Sequence, residues 1–163
     1  MELNSHGTRE YIEETINKYS DMVYRLALAR TKNTSDAEDI FQEVFIRLIK
    51  NIDNLHGEAH IKPWLIRVTI NCSKTLLTSF WFKRTTTLED TLTFSTPEKS
   101  NVYYTVLNLP VKYRTVIYLF YYEDLSIKEI AKILNYNEST VKSQLSRGRA
   151  LLKNNLKGVN INV

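Results

Sequence analysis

The chain has 163 residues, 43% of them hydrophobic and 25% charged, with four glycines, three prolines and one cysteine. That composition excludes the disordered, collagenous and disulfide-stapled classes, and the length suits one ordinary domain or two small ones of ~60 to 80 residues, each still able to bury a core. The net charge is +4, but it is unevenly spread: residues 1–60 carry 7 basic against 11 acidic residues, residues 61–84 carry 5 basic and no acidic ones, and residues 126–158 carry 7 basic against 2 acidic.

In chain order, Ile12, Ile16, Tyr19, Val23 and Leu26 form a first apolar stripe at helical spacing, and Ile40, Phe41, Val44, Phe45, Leu48, Ile49 and Ile52 form a second. Ser35-Asp36-Ala37-Glu38 reads as a capping box opening the second helix, with acids at the positive end of its dipole. A third helix is predicted to open near Lys62-Pro63-Trp64, proline being tolerated in a first turn, and to run through Leu65, Val68 and Leu76 towards Phe82. Residues 85–101, with six threonines before Pro97, read as a linker of net charge −2 or as a short edge strand. The pattern resumes with Val102–Leu109, and Pro110 opens a helix from Val111 to about Glu123. After a turn at Asp124-Leu125, Ser126-Ile127-Lys128-Glu129 forms another capping box, starting a short helix with Ile127, Ile130, Ala131 and Leu134 facing inward. Asn135-Tyr136-Asn137 breaks it, and Asn137 is placed to cap a last helix from Glu138 to about Leu156.

A short helix, a tight turn and a longer basic helix make a helix-turn-helix, whose second helix enters the major groove. Val141, Leu145, Leu151 and Leu152 supply its inward stripe. The opposite face presents Thr140, Lys142, Ser143, Gln144, Ser146 and Arg147, then Arg149 and Lys153. Arg and Lys suit guanine edges, Gln suits adenine, and hydroxyls suit phosphates. Clustered cations favour a nucleic-acid backbone over other polyanions; a plain helical hairpin with a solvated basic face is the alternative.

No phosphate-binding glycine loop or HExxH motif is present, and a lone Cys72 with scattered His6, His56 and His60 has no metal-ligand spacing. No acid, His and nucleophile cluster at usable spacing. No catalytic residue, metal, cofactor or small-molecule substrate is expected, and the chain does not read as an enzyme. The start, Met1-Glu2-Leu3-Asn4, lacks a basic and then apolar leader, and no run reaches the ~20 apolar residues of a membrane span, so a soluble cytoplasmic protein is expected.

The run from Leu109-Pro110 through Tyr113-Arg114 to Tyr122-Glu123, with Leu125-Ser126-Ile127-Lys128-Glu129-Ile130-Ala131 and Thr140-Val141-Lys142-Ser143-Gln144-Leu145-Ser146-Arg147-Gly148-Arg149, resembles region 4 of bacterial extracytoplasmic-function (ECF) sigma factors. Asp36-Ala37-Glu38-Asp39-Ile40-Phe41-Gln42-Glu43-Val44-Phe45 resembles their region 2.2, and Ile61-Lys62-Pro63-Trp64-Leu65-Ile66-Arg67-Val68-Thr69-Ile70-Asn71 resembles region 2.3 running into 2.4. The resemblance spans roughly residues 11 to 157. It implies an all-α protein of two small helical domains: a region 2 bundle over 8–84 and a region 4 helix-turn-helix over 102–158, joined by an irregular linker over 85–101.

By the same resemblance, the chain would make core RNA polymerase promoter-specific. Asp36, Glu38, Asp39, Gln42 and Glu43 would dock on the β′ clamp helices, and the second domain would meet the β flap. His56, His60 and Asn71, with Lys62, Arg67, Lys74, Lys83 and Arg84, would capture the −10 DNA. Phe80, Trp81 and Phe82 would either stack on bases or pack on their own domain. Thr140, Lys142, Ser143, Gln144, Ser146 and Arg147 would read the −35 element. A membrane-bound anti-sigma factor is the further partner implied. Where many members carry Asp near position 75, Arg near 78 and Arg in the recognition helix, this chain has Thr75, Thr78 and Gln144, differences that bear on promoter sequence. A stand-alone helix-turn-helix regulator binding a palindrome as a homodimer is the alternative.

Overall fold

A computed structural model describes residues 5–82 and 101–157, and all regular structure among them is helical. The helices fall into two units: α1 (Ser5–Thr31), α2 (Thr34–Asn51) and α3 (Glu58–Phe82) in one; α4 (Asn101–Leu107), α5 (Val111–Tyr121), α6 (Ile127–Leu134) and α7 (Glu138–Lys157) in the other. The predicted linker, apart from Asn101, lies outside the described residues. No helix among them is long and apolar enough to cross a membrane.

In the first unit α1 packs on both α2 and α3, which also pack on each other. Leu26, Ile40, Val44, Leu48, Leu65 and Ile66 are each at most 1% exposed. Each such side chain contributes about 1.5–3 kcal/mol of burial, an upper figure because unfolded chains are already partly collapsed. Of the predicted α1 stripe, Tyr19, Val23 and Leu26 are buried, whereas Ile12 and Ile16 are half-buried. Arg30 is also buried, and its Nε donates to Ser73 Oγ at 2.8 Å while Ser73 Oγ donates to the Ile70 carbonyl at 2.7 Å.

Three sequence expectations are corrected in this unit. The cap of α2 is Asn33, not Ser35: Asn33 has extended backbone (φ −138°, ψ 125°), so its side-chain oxygen can accept from the Asp36 N–H at 3.0 Å, leaving Ser35 inside the helix. The third helix opens at Glu58 rather than near Pro63. Gly57, at φ 75°, makes the turn into it, and the N–H groups of His60 and Ile61 donate to the Gly57 carbonyl at 3.1 and 3.0 Å. Pro63 therefore sits in the second turn, where its missing N–H leaves the carbonyl of exposed Ala59 to water. Ile49, placed in the buried stripe of α2, is instead 49% exposed.

In the second unit the four helices surround Val116, Ile117, Leu119, Ile130, Val141 and Leu145. Buried Arg114 ties the α4–α5 turn by donating from Nη1 to the carbonyls of Leu107 and Leu109 at 3.0 and 2.9 Å. Helix α5 ends at Tyr121, two residues short of Glu123, and the chain turns at Asp124 with φ 54°. The predicted capping box is present: Ser126 Oγ accepts from the Glu129 N–H at 3.1 Å, and the Ser126 N–H donates to Glu129 Oε2 at 2.9 Å. Its helix buries Ile130, Ala131 and Ile133, with Ile127 and Leu134 only half-buried. Asn135 then adopts φ 56°, ψ 45°, a left-handed stop that asparagine tolerates. The carbonyl of Asn137 accepts the first bonds of α7, from Thr140 and Val141.

Helix α7 meets α5 at Gly148, where an added Cβ would lie 3.0 Å from Ile117 Cγ1 and 3.4 Å from Tyr113 Cβ. A residue without a side chain lets the two helices approach this closely.

Candidate nucleic-acid interfaces and docking face

On α2, Glu38, Asp39, Gln42 and Glu43 are all exposed and share one side of the helix, as their spacing of three and four requires. Asp36 lies at the edge of that side and is half-buried. Burial, and then the neighbouring Asp39 charge, push its carboxyl above the usual aspartate range, so the ionised form gains less there than its place in the first turn would suggest. Glu43 Oε1 accepts from Arg47 Nε at 2.8 Å in a half-exposed i,i+4 pair. Two residues missed by the sequence reading complete the face: Ile46, 47% exposed, and Ile49. Ile46 stands seven residues after Asp39 and three after Glu43, so helical spacing alone carried the signal. The result is an acidic side with an apolar end.

On α3, His60, Arg67, Asn71 and Lys74 form one exposed row, extended by Thr78 to a length of roughly 27 Å at 1.5 Å per residue. Thr75 and Thr78 turn their hydroxyls back onto the helix, donating to the carbonyls of Asn71 and Lys74. His56 is exposed in the turn ahead of Gly57, outside the helix. Lys62 does not join the row, being half-buried and on another side of α3. Lys83 and Arg84 lie outside the described residues, as do the side chains of Phe80, Trp81 and Phe82. Glu58, the last acid before this acid-free stretch, is paired with Lys18 of α1.

On α7, Thr140, Ser143, Gln144 and Arg147 line a cleft of about 310 Å³ together with Ser139 and with Lys112 and Tyr113 of α5. Lys142 and Ser146 are exposed but outside that lining. Gln144 is half-buried, and its Oε1 is out of water with no donor. Arg149, read from the sequence as part of the outward basic face, is committed elsewhere: its Nε donates to Tyr121 Oη at 2.7 Å, and its guanidinium lies 5.4 and 5.6 Å from the Phe120 and Tyr121 ring centroids. Nothing local in the sequence marks Lys112 for this site, because packing of α5 against α7 brings it there.

Two family models match the chain, Sigma-70 region 2 over residues 15–81 and Sigma-70, region 4 over residues 100–152. Among curated proteins, the ECF RNA polymerase sigma factor SigW of Bacillus subtilis is 30% identical, over 93% of this chain and 91% of its own length. SigM of the same organism is 31% identical over 87% and 93%, and the ECF sigma-E factor of Haemophilus influenzae 28% identical over 96% and 93%. Among solved structures, the sigma factor RpoE of Bartonella quintana in complex with the anti-sigma factor NepR superposes with a TM-score of 0.73 at 18% identity, over 91% of this chain and 97% of its own. CnrH in complex with the cytosolic domain of CnrY gives 0.69 at 18% identity, over 93% and 91%. These last two likenesses concern the fold.

Proposed function

The chain belongs to the ECF sigma factors of the sigma-70 family, and from that premise we propose that it directs core RNA polymerase to promoters by reading a −10 element with its first unit and a −35 element with its second. It is a transcription initiation factor and not an enzyme. In this reading residues 8–84 form the core- and −10-binding domain, 85–101 the linker and 102–158 the −35-binding domain.

The observation that carries the proposal is the separation of charge within the first unit. The exposed side of α2 is acidic with an apolar end, which suits a protein partner and repels DNA, whereas the α3 row offers Arg67, Lys74, His60 and Asn71 with no acid after Glu58. Duplex opening costs ~1.4 kcal/mol of stacking per base-pair step, so a factor without ATP must capture splayed bases and hold the single strand by charge. Asn71, beside two cations on an exposed row, suits that task, and the β′ clamp helices are the matching partner for α2. The second unit would meet the β flap while α7 enters the major groove.

The solved relatives are held by anti-sigma factors, and a membrane-bound anti-sigma factor covering these same surfaces is the partner we infer for this cytoplasmic protein. Run-off transcription with purified core polymerase tests the reading. Promoter-dependent transcripts that require the chain are expected. A symmetric homodimer that binds a palindrome and ignores core polymerase would instead establish the stand-alone regulator.

A further inference from the structure

All three histidines of the chain lie in its first 60 residues, and residues 61–163 contain none. His56 is exposed directly before Gly57, and His60 is exposed in the first turn of α3, where its N–H donates to the Gly57 carbonyl at 3.1 Å. Four residues of chain keep their backbones within about 14 Å of each other. His60 also heads the exposed row that continues through Arg67, Asn71 and Lys74, which carries two permanent cations. The charges packed around the turn leave both imidazoles uncommitted. Asp53 is exposed in the single 3₁₀ turn ahead of it, Glu58 within it is paired with Lys18 of α1, and Lys62 is half-buried on another side of α3. Helix α2 brings Glu43 and Arg47 to Cys72, further along α3. Among the described residues neither histidine side chain has an ion pair or a hydrogen bond.

Histidine is the side chain whose charge ordinarily changes between pH 5 and 8, and a phosphate beside an imidazole favours its charged form. With both protonated, the two permanent cations of this surface become four. The first turn of α3 is also the end of the helix dipole that favours an anion. We propose that capture of the −10 strand takes up one proton at His60 and a second at His56, so that the grip of the first unit on DNA tightens as pH falls while that of the second unit does not. The proposal rests on the −10 reading given above and adds to it a regulation by pH. Each imidazolium displaces a counterion from a phosphate, so each proton taken up should steepen the slope of log affinity against log salt by about 0.7 on a single strand. A neutral imidazole stacked on a splayed base is the competing chemistry, and it makes binding level or weaker as pH falls.

The test uses holoenzyme, formed from core polymerase and the full chain, at pH 6 and pH 8 and constant ionic strength. Its ligand is a fork-junction fragment carrying the single-stranded −10 segment of a promoter recovered from a random-sequence pool. Comparing wild type with variants removes the pH dependence of core polymerase itself. Wild type should bind about two- to fivefold more tightly at pH 6 for each histidine. His56→Gln with His60→Gln should lose that difference, and His60→Lys should hold at pH 8 the part due to His60. On an isolated −35 duplex the free full chain should bind alike in wild type and the double variant at both pH values, because the second unit has no histidine. An equal pH dependence in wild type and the double variant would overturn the proposal. So would tighter wild-type binding at pH 8 that the double variant loses, which would assign the histidines to stacking in their neutral form. Failure of the wild-type chain to direct core polymerase at all would instead overturn the sigma reading, so the two failures are distinct.

Discussion

Arg30 reaches from the last turn of α1 to Ser73 on α3, its Nε donating to the serine hydroxyl at 2.8 Å in a buried site. The contact fixes the register of α3 two residues from Asn71 and one from Lys74 on the exposed row. Ser73→Ala takes an acceptor from a buried cation, and a loss of about 1–3 kcal/mol is expected. Urea unfolding of the full chain would measure it; an unchanged midpoint would mean that Arg30 is as well satisfied without the serine.

The acidic side of α2 predicts a separation of functions. Asp39→Lys with Glu43→Lys should weaken core polymerase binding at least about tenfold, since it reverses the charge of the side proposed to dock, while binding to an isolated −35 duplex stays at wild-type strength. Ile46→Ser, at an exposed position, should weaken core binding without a change in thermal stability. Native-gel titration of core polymerase reads both, and equal loss of DNA binding would contradict the assignment.

Arg147 and Arg149 are two residues apart and should behave oppositely. Arg147→Ala is expected to cost ~1–3 kcal/mol of DNA affinity and leave stability alone. Arg149→Ala loses the bond to Tyr121 and the ring contacts, so it should lower the melting temperature of the second unit while leaving base preference intact. Fluorescence anisotropy beside calorimetry separates the two.

Gly148→Val places a branched side chain where a single Cβ already stands 3.0 Å from Ile117. Overpacking of this kind costs about 1–3 kcal/mol, and α7 must move off α5 to relieve it. Lower stability together with weaker −35 binding is expected; loss of stability alone would show that the recognition surface tolerates the shift.

Cys72 is buried, and burial raises its thiol above the ordinary range, with Glu43 adding to the rise and Arg47 opposing it. The unfolded chain therefore releases this proton first as pH climbs. The stability contributed is complete below the ordinary thiol value and is lost as pH rises through the higher folded one. Iodoacetamide at pH 8 should label the thiol only at the rate of unfolding, and fast labelling of native protein would refute it.

Much of the fold was legible because its signals are local. The Ser126–Glu129 box, the Asn135 break and the order of helices follow from side chains that act on their own backbone within four residues. Asn33 and Ser35 are equally good caps by type, and only the extended backbone at Asn33 decides between them. Pro63 suggested a helix start, but Gly57 had already turned the chain, and an exposed neighbouring carbonyl tolerates the proline. Ile49 was read as core because an isoleucine in a helical stripe has the same spacing whether it faces a neighbour or solvent. Arg149 was misread and Lys112 passed over for one reason: the packing of α7 against α5 sets their surroundings, and no periodicity records it.

The left-handed Asn135 has a last consequence. Ser126 fixes where α6 begins and Asn135 where it ends, so the three residues 135–137 act as an index that sets the rotation of α7 about its own axis. One residue inserted there would turn α7 by about 100°, bringing Thr140 and Gln144 to the buried places of Val141 and Leu145, and Lys142 and Ser146 to the places of Ser143 and Arg147. Substitutions on the outward side leave the packing of α7 in place, but the length of this turn has no such freedom.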